Sequence, residues 1–321
     1  MAKKQGYICI LITTVLFSSM EAVLKLIAGD FNPIQITFTR FLVAGVILLP
    51  MAAKTLRQRG LKLEKADYIE MAGLGFLGIL FSMTFYQLSI LYIDASVVAV
   101  LFSCNPIFVT VFAILLIGEE AKLNKFIALA VDLVGIVFII QPWNLHLNIL
   151  GVIFILVSAA AFALYGVLGK KQCAKLGGIV VTCGGFLFGS AEMMILAALS
   201  HIPAVASALS SGVLKNFAAI PFVSGYAVDN LLVVLYVCIC CTGIGYTCYF
   251  LAMERVSAQT VSMVFFFKPV LAPIMAAVIL GEAIHSNMVI GICLILAGSL
   301  VSMADDNPLQ RLRKERAHHD A

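Results

Sequence analysis

The sequence predicts an all-α integral membrane protein of ten transmembrane helices, in two inverted five-helix repeats with both termini cytoplasmic. The first observation behind this is composition: 62% of the 321 residues are hydrophobic and 12% charged, about half the charge of a soluble domain. The second is a series of ten apolar stretches suited to a hydrocarbon core of about 30 Å at about 1.5 Å per residue. The third is an internal repeat at fixed spacing.

The spans run over residues 6–28, 34–53, 68–91, 95–117, 124–140, 148–169, 178–199, 228–252, 258–280 and 286–303. Several begin with recognisable chemistry. Asn32-Pro33 places an N-cap before a proline at the first helical position, Asp67 and Glu70 stand at capping-box spacing, and Asn124 and Asn287 suit N-caps. The basic N-terminus enters the first span with no cleavage-site pattern, so no signal peptide is expected. The segment 201–227 contains Pro203, Lys215, Asn216 and Pro221; it reads as an external loop with an interfacial helix, with Trp143 as an anchor on the same side. With the N-terminus inside, seventeen Lys and Arg residues fall in cytoplasmic segments and only Lys215 opposite them, which sets the orientation by the positive-inside rule.

Laying residues 86–140 over 249–303 without a gap pairs Tyr86 with Tyr249, Pro106 with Pro269, Gly118-Glu119 with Gly281-Glu282, Asn124 with Asn287 and Gly135 with Gly298. Five spans per half is an odd number, so the copies lie upside down relative to each other. Inverted repeats with a polar site at their midplane interface are a secondary-transporter architecture. The expected units are residues 6–142, 148–303 and a cytoplasmic tail, 304–321.

A fourth helix reading as an apolar run, proline and then Gly-Glu, twice over, resembles EamA-type members of the drug/metabolite transporter superfamily, across nearly the whole chain. The resemblance implies a carrier of small metabolites, often outward, with a cavity lined by helices 1, 3, 4, 6, 8 and 9. It also implies peripheral last helices in each half, with possible dimer contacts. Met20-Glu21 departs from the family's usual small-aromatic turn in the opening helix.

Lys268 is the focus of the candidate site. It lies near the middle of the ninth span in Phe265-Phe266-Phe267-Lys268-Pro269, where an ammonium costs roughly 2.5–3.5 kcal/mol on insertion scales. The proline frees a carbonyl one turn earlier and steers Lys268 from helical geometry, so Pro106 and Pro269 are both expected to bend or unwind their helices. Asn105, its repeat counterpart, would face it across a cavity; the competing reading is an interhelical hydrogen bond. Tyr86, Tyr165, Tyr246, Tyr249 and Phe265 are candidate lining residues, or ordinary apolar filler. Glu21 and Lys25 share a helix face and are expected to pair, or to form an external gate with Arg40. Glu21, Asp132 and Glu192 are alternative counter-ions for Lys268. Glu192 follows Gly185 and Gly189, a GxxxG step for close helix approach, and Glu119 and Glu282 read as interfacial structural residues.

No cofactor or metal is expected: the nine cysteines are odd in number, and eight fall in apolar spans. A membrane enzyme would want a polar catalytic set, but none of the five histidines lies in a span. A receptor has no need of repeated midplane polar positions. The reading is a plasma-membrane exporter of small polar metabolites, such as amino acids or related carboxylates, acting as a monomer or homodimer in the bilayer without nucleic acid. The alternative is proton-coupled efflux of lipophilic or cationic drugs through Glu21.

Overall fold

The computed structural model describes residues 2–117, 123–140, 148–210, 212–255 and 258–304. Among them the chain is helical, with no strand. In chain order the long elements are α1 (Ala2–Leu26), α2 (Pro33–Arg59), α3 (Lys65–Gly75, Phe76–Ser82 and Met83–Tyr92 in one rod), and α4 (Ala95–Phe102, then Asn105–Ile117). α5 (Leu123–Ile140), α6 (Ile149–Leu176) and α7 (Gly178–Leu199) follow. α8 joins Val228–Leu235, Tyr236–Gly245 and Tyr246–Arg255, and α9 (Ala258–Leu280) and α10 (Ser286–Ala304) complete the set. Six of these rods, α1, α2, α3, α6, α7 and α8, are long and apolar enough to cross a membrane, with shorter apolar helices in α4, α9 and α10. The reason for all-helical spans is that lipid offers backbone amides no hydrogen-bond partner.

The packing is that of two related halves. α2 lies along α7 and α5 along α10, so equivalent helices meet; α1 packs on α9 and α8, whereas α6 packs on α4 and α3. Exchanging the halves turns each of these contacts into another, as a two-fold relation requires. Even the local irregularities repeat: the π-helical segment Phe76–Ser82 of α3, shifted by the repeat offset, falls on 239–245, inside the π-helical Tyr236–Gly245 of α8. Met83 and Tyr246 are equivalent under that offset of 163, and they touch, with Tyr246 Oη 3.9 Å from Met83 Sδ. A residue touches its own mate only where the two-fold axis passes between them.

Glycines set the closest crossings. A Cβ on Gly75 of α3 would meet the Gly189 nitrogen at 2.6 Å and the Gly185 carbonyl oxygen at 2.8 Å, so the α7 GxxxG step gives the α3–α7 approach. At α5–α10 a Cβ on Gly291 would lie 2.7 Å from the Gly135 oxygen. α5 and α10 thus form a tight mutual pair.

Two expectations about the prolines come out differently. α4 is interrupted at Ser103-Cys104, just before Asn105-Pro106, whereas α9 runs unbroken through Pro269 and Pro273. Pro106 and Pro269 each remove one backbone donor. In α4 the preceding turn is offered other partners, for Ser103 Oγ donates to the Ala99 oxygen at 2.7 Å and Cys104 N to the Leu101 oxygen at 3.1 Å. In α9 the second proline stands four residues after the first, so both freed carbonyls lie on one helix face and the ladder closes around them.

The segment between α7 and α8 folds over one end of the bundle. It holds a short helix, Pro203–Ala208, and a 3-10 turn, Gly212–Phe217. Asn32 Nδ2 donates to the Asn216 oxygen at 2.8 Å and Gln35 Nε2 to the Ser224 oxygen at 2.7 Å. The Tyr226 ring packs edge-on to Phe31 at 5.0 Å, its hydroxyl bonds that of Thr39, and burial raises its pKa above the ordinary value. Gly225, at φ 83°, brings its backbone so near that a Cβ would lie 2.5 Å from the Asp30 oxygen. Trp143 and Glu119 lie outside the described residues.

Candidate functional site

The long polar side chains of the bundle's middle converge from different helices. Lys268 of α9 forms an ion pair with Glu21 of α1, each side chain only 1% exposed. The same ammonium stands 4.9 Å from the Phe102 ring centroid of α4, a cation–π contact strengthened by burial. Glu21 is therefore not the partner of Lys25, as helical spacing suggests. Side chains four apart on a helix stay wet only when that face is solvated; here the face is buried against two neighbouring rods, and each group takes the partner its neighbour presents.

Lys25 instead reaches the end of α3. Its Nζ donates to the Ile90 oxygen and, at 2.8 Å, to the Ile93 oxygen, with Asp94 and Glu282 close enough to act on its charge. Glu282, just past α9, accepts from the Ala95 and Ser96 amides at 2.8 and 3.0 Å and from Ser96 Oγ at 2.6 Å. A carboxylate thus caps the N-terminus of α4, where orphan amides and the helix dipole favour negative charge. The sequence placed Glu282 at a span end; the helix it caps lies in the other repeat.

Arg40 of α2 is fully buried and lies beside the ion pair. Its Nη1 is 3.3 Å from Met20 Sδ, next to Glu21, and its guanidinium sits 4.6 Å from the Phe41 ring centroid and 6.0 Å from that of Tyr86. Its Nε and Nη2 have no hydrogen-bond partner among the described residues. The charges of Glu21 and Arg40 both act on Tyr86, Tyr246 and Cys241. Tyr86, Tyr246 and Cys241 thus lie within electrostatic range of both charges.

Tyr86 is fully buried against Phe102 at 5.2 Å with its hydroxyl within reach of Glu21, whereas Ser18 Oγ, Thr84 Oγ1, Gln87 Oε1 and the Tyr165 hydroxyl are unbonded among the described residues. Unpartnered buried polar groups are rare in folded proteins and each calls for an explanation. Thr84 and Gln87 went unremarked in the sequence, although polar residues three apart in mid-span were the available signal. Tyr165 packs on Phe162 and against Gly78. Tyr246 meets Phe17, Phe41 and Phe186 at 4.9, 5.9 and 5.2 Å, and Tyr249 joins Phe17 to Phe265 at 6.1 Å from each.

Asn105 is buried and donates from Nδ2 to the Ala159 oxygen of α6 at 2.9 Å. Lys268 and Asn105 thus each bond the opening helix of the opposite repeat, but they do not bond each other. Glu192 is half-buried on α7, and its Oε2 has no partner among the described residues. The Asp132 side chain lies outside the described residues.

Two half-bundles related by a two-fold axis, with charged and polar groups sealed between them, define a polytopic membrane transporter. Residues 4–141 and 149–304 each match the EamA-like transporter family, and the chain belongs to that family. It is 35% identical over 319 residues to an uncharacterized transporter of Clostridium kluyveri, covering 97% of both chains. It is 23% identical over 292 residues to one from Archaeoglobus fulgidus, covering 91% of this chain and 96% of that protein. A solved crystal structure shares the fold at a TM-score of 0.61 and 18% identity, covering 96% of this chain and 98% of that one.

Proposed function

We propose that the protein is an alternating-access exporter of small polar metabolites, amino acids or related carboxylates, in the plasma membrane. The observation that supports this best is the Glu21–Lys268 pair, sealed from solvent between helices of opposite repeats. Burying two charges is expensive and a pair earns little net stability, so intramembrane ion pairs are first read as functional. Lys268 meets the substrate's anionic group, and Glu21 serves as its partner when the site is empty. Tyr86, Tyr165, Tyr246, Tyr249, Phe265 and Asn105 line the path, and the halves rock about the site. Lys25, Arg40, Asp132 and Glu192 take part in coupling or gating.

The test is uptake into vesicles of the purified protein over a panel of amino acids and carboxylates. Lys268→Met alone takes away the resting partner of Glu21, so the informative variant is Lys268→Met with Glu21→Gln, which keeps the volume and removes both charges. Transport of carboxylate-bearing solutes should collapse while the melting temperature holds. A folded double variant that transports at the normal rate would make the pair structural. Reporter fusions after Lys62, Leu176 and Ala317 should all report the cytoplasm; one outside location breaks the orientation.

A further inference from the structure

Arg40 is the second buried cation of the cluster, and the ion pair does not account for it. It is fully buried, two of its guanidinium nitrogens are without hydrogen-bond partners among the described residues, and its neighbours Met20, Phe41 and Tyr86 are uncharged. The acid whose charge reaches the same Tyr86, Tyr246 and Cys241 side chains as Arg40 is Glu21, already held by Lys268. Among the described residues, two cations and one carboxylate leave the cluster one positive charge in excess. A low-dielectric interior tolerates that poorly, because an unpaired buried charge loses its water and gains no partner.

Resting on the transporter reading above, we propose that Arg40 is the alternative partner of Glu21, and that the substrate is a carboxylate of net charge −1. A substrate carboxylate arriving at Lys268 displaces Glu21, which turns to the open Nε and Nη2 of Arg40. The fork of a guanidinium accepts a carboxylate through two parallel hydrogen bonds. The loaded site then holds two ion pairs and no net charge. A zwitterion leaves the positive excess in place and a dicarboxylate overshoots it, so both are disfavoured by the same accounting.

The test uses wild-type protein in vesicles with three charge classes matched in size: pyruvate and phenylpyruvate, alanine and phenylalanine, succinate and phenylsuccinate. The monocarboxylates should be taken up best. Arg40→Gln leaves the displaced Glu21 without a partner, so monocarboxylate uptake should fall by about tenfold or more, the scale of one lost charge-assisted contact. Adding Glu21→Gln to Arg40→Gln removes the group that needed the partner and should restore most of the uptake. Melting temperatures check that each variant folds, and the wild-type charge preference decides the question even if one does not. Preference for the zwitterions or the dicarboxylates overturns the inference and leaves a transporter standing. A double variant no better than Arg40→Gln also overturns it, because Arg40 would then hold the substrate itself. Uptake of none of the six removes the transporter reading and the inference with it.

Discussion

Asn105 and Lys268 occupy equivalent places in the two repeats, each just before a proline and each turned toward the opening helix of the other half. Asn105 meets a backbone carbonyl, at Ala159; Lys268 meets a carboxylate, at Glu21. The first contact is neutral, and Ala159, inside α6, keeps its own helical hydrogen bond without it. The second ties two full charges together where neither has water. The α3 and α8 irregularities show the same pattern of shared geometry and divided chemistry. Ser82, at the end of one π-helical segment, donates to the Ser158 oxygen of α6 at 2.9 Å, and at its mate Gly245 the carbonyl accepts from Thr13 of α1 at 3.1 Å. The repeat thus fixes which helices touch, while single substitutions within it concentrate charge on one side of the axis.

The sharpest way to break this comparison is to empty the charged side. Lys268→Met takes from Glu21 its resting counter-ion, and breaking a buried pair costs at most about 3–5 kcal/mol, less what Glu21 regains from Arg40. Thermal unfolding in detergent should show the drop, with most of it recovered when Glu21→Gln is added. A drop that persists in the double variant would mean that Lys268 stabilises through its stem and the Phe102 contact instead. A smaller effect belongs to Glu282, which joins the repeats through a helix end. Glu282→Ala uncaps α4, at a cost of about 1–2 kcal/mol on the scale of measured caps, and amide exchange at residues 95 and 96 should accelerate. Unchanged exchange there would assign α4 its stability from packing alone. The smallest effect falls on the neutral mate. Asn105→Ala should lower stability by only about 0.6 kcal/mol, the average for hydrogen bonds between membrane helices, and leave the charge preference of transport unaltered. An Asn105→Ala loss as large as that of Lys268→Met would erase the asymmetry between the halves.

Much of the architecture is decided locally. A hydrocarbon core admits only backbones that satisfy themselves, so apolar length alone marks the rods. Asn32 and Asn148 cap α2 and α6 from two residues away, through amides at 2.9 and 3.0 Å. The Pro106 and Pro269 register carried the repeat because proline, glutamate and asparagine are scarce in apolar sequence and stand out at a fixed offset. Hydropathy says little about the rotation of each rod about its axis, and that rotation chooses partners. Glu21, Glu192 and Asp132 were equal candidates along the chain; packing α1 against α9 brought Glu21 to Lys268. The same packing parted Glu21 from Lys25, its neighbour on the helix, and carried Glu282 across to α4. It also buried Arg40 among Met20, Phe41 and Tyr86 of α1, α2 and α3, with two of its nitrogens unbonded among the described residues, a setting that only the folded bundle assembles.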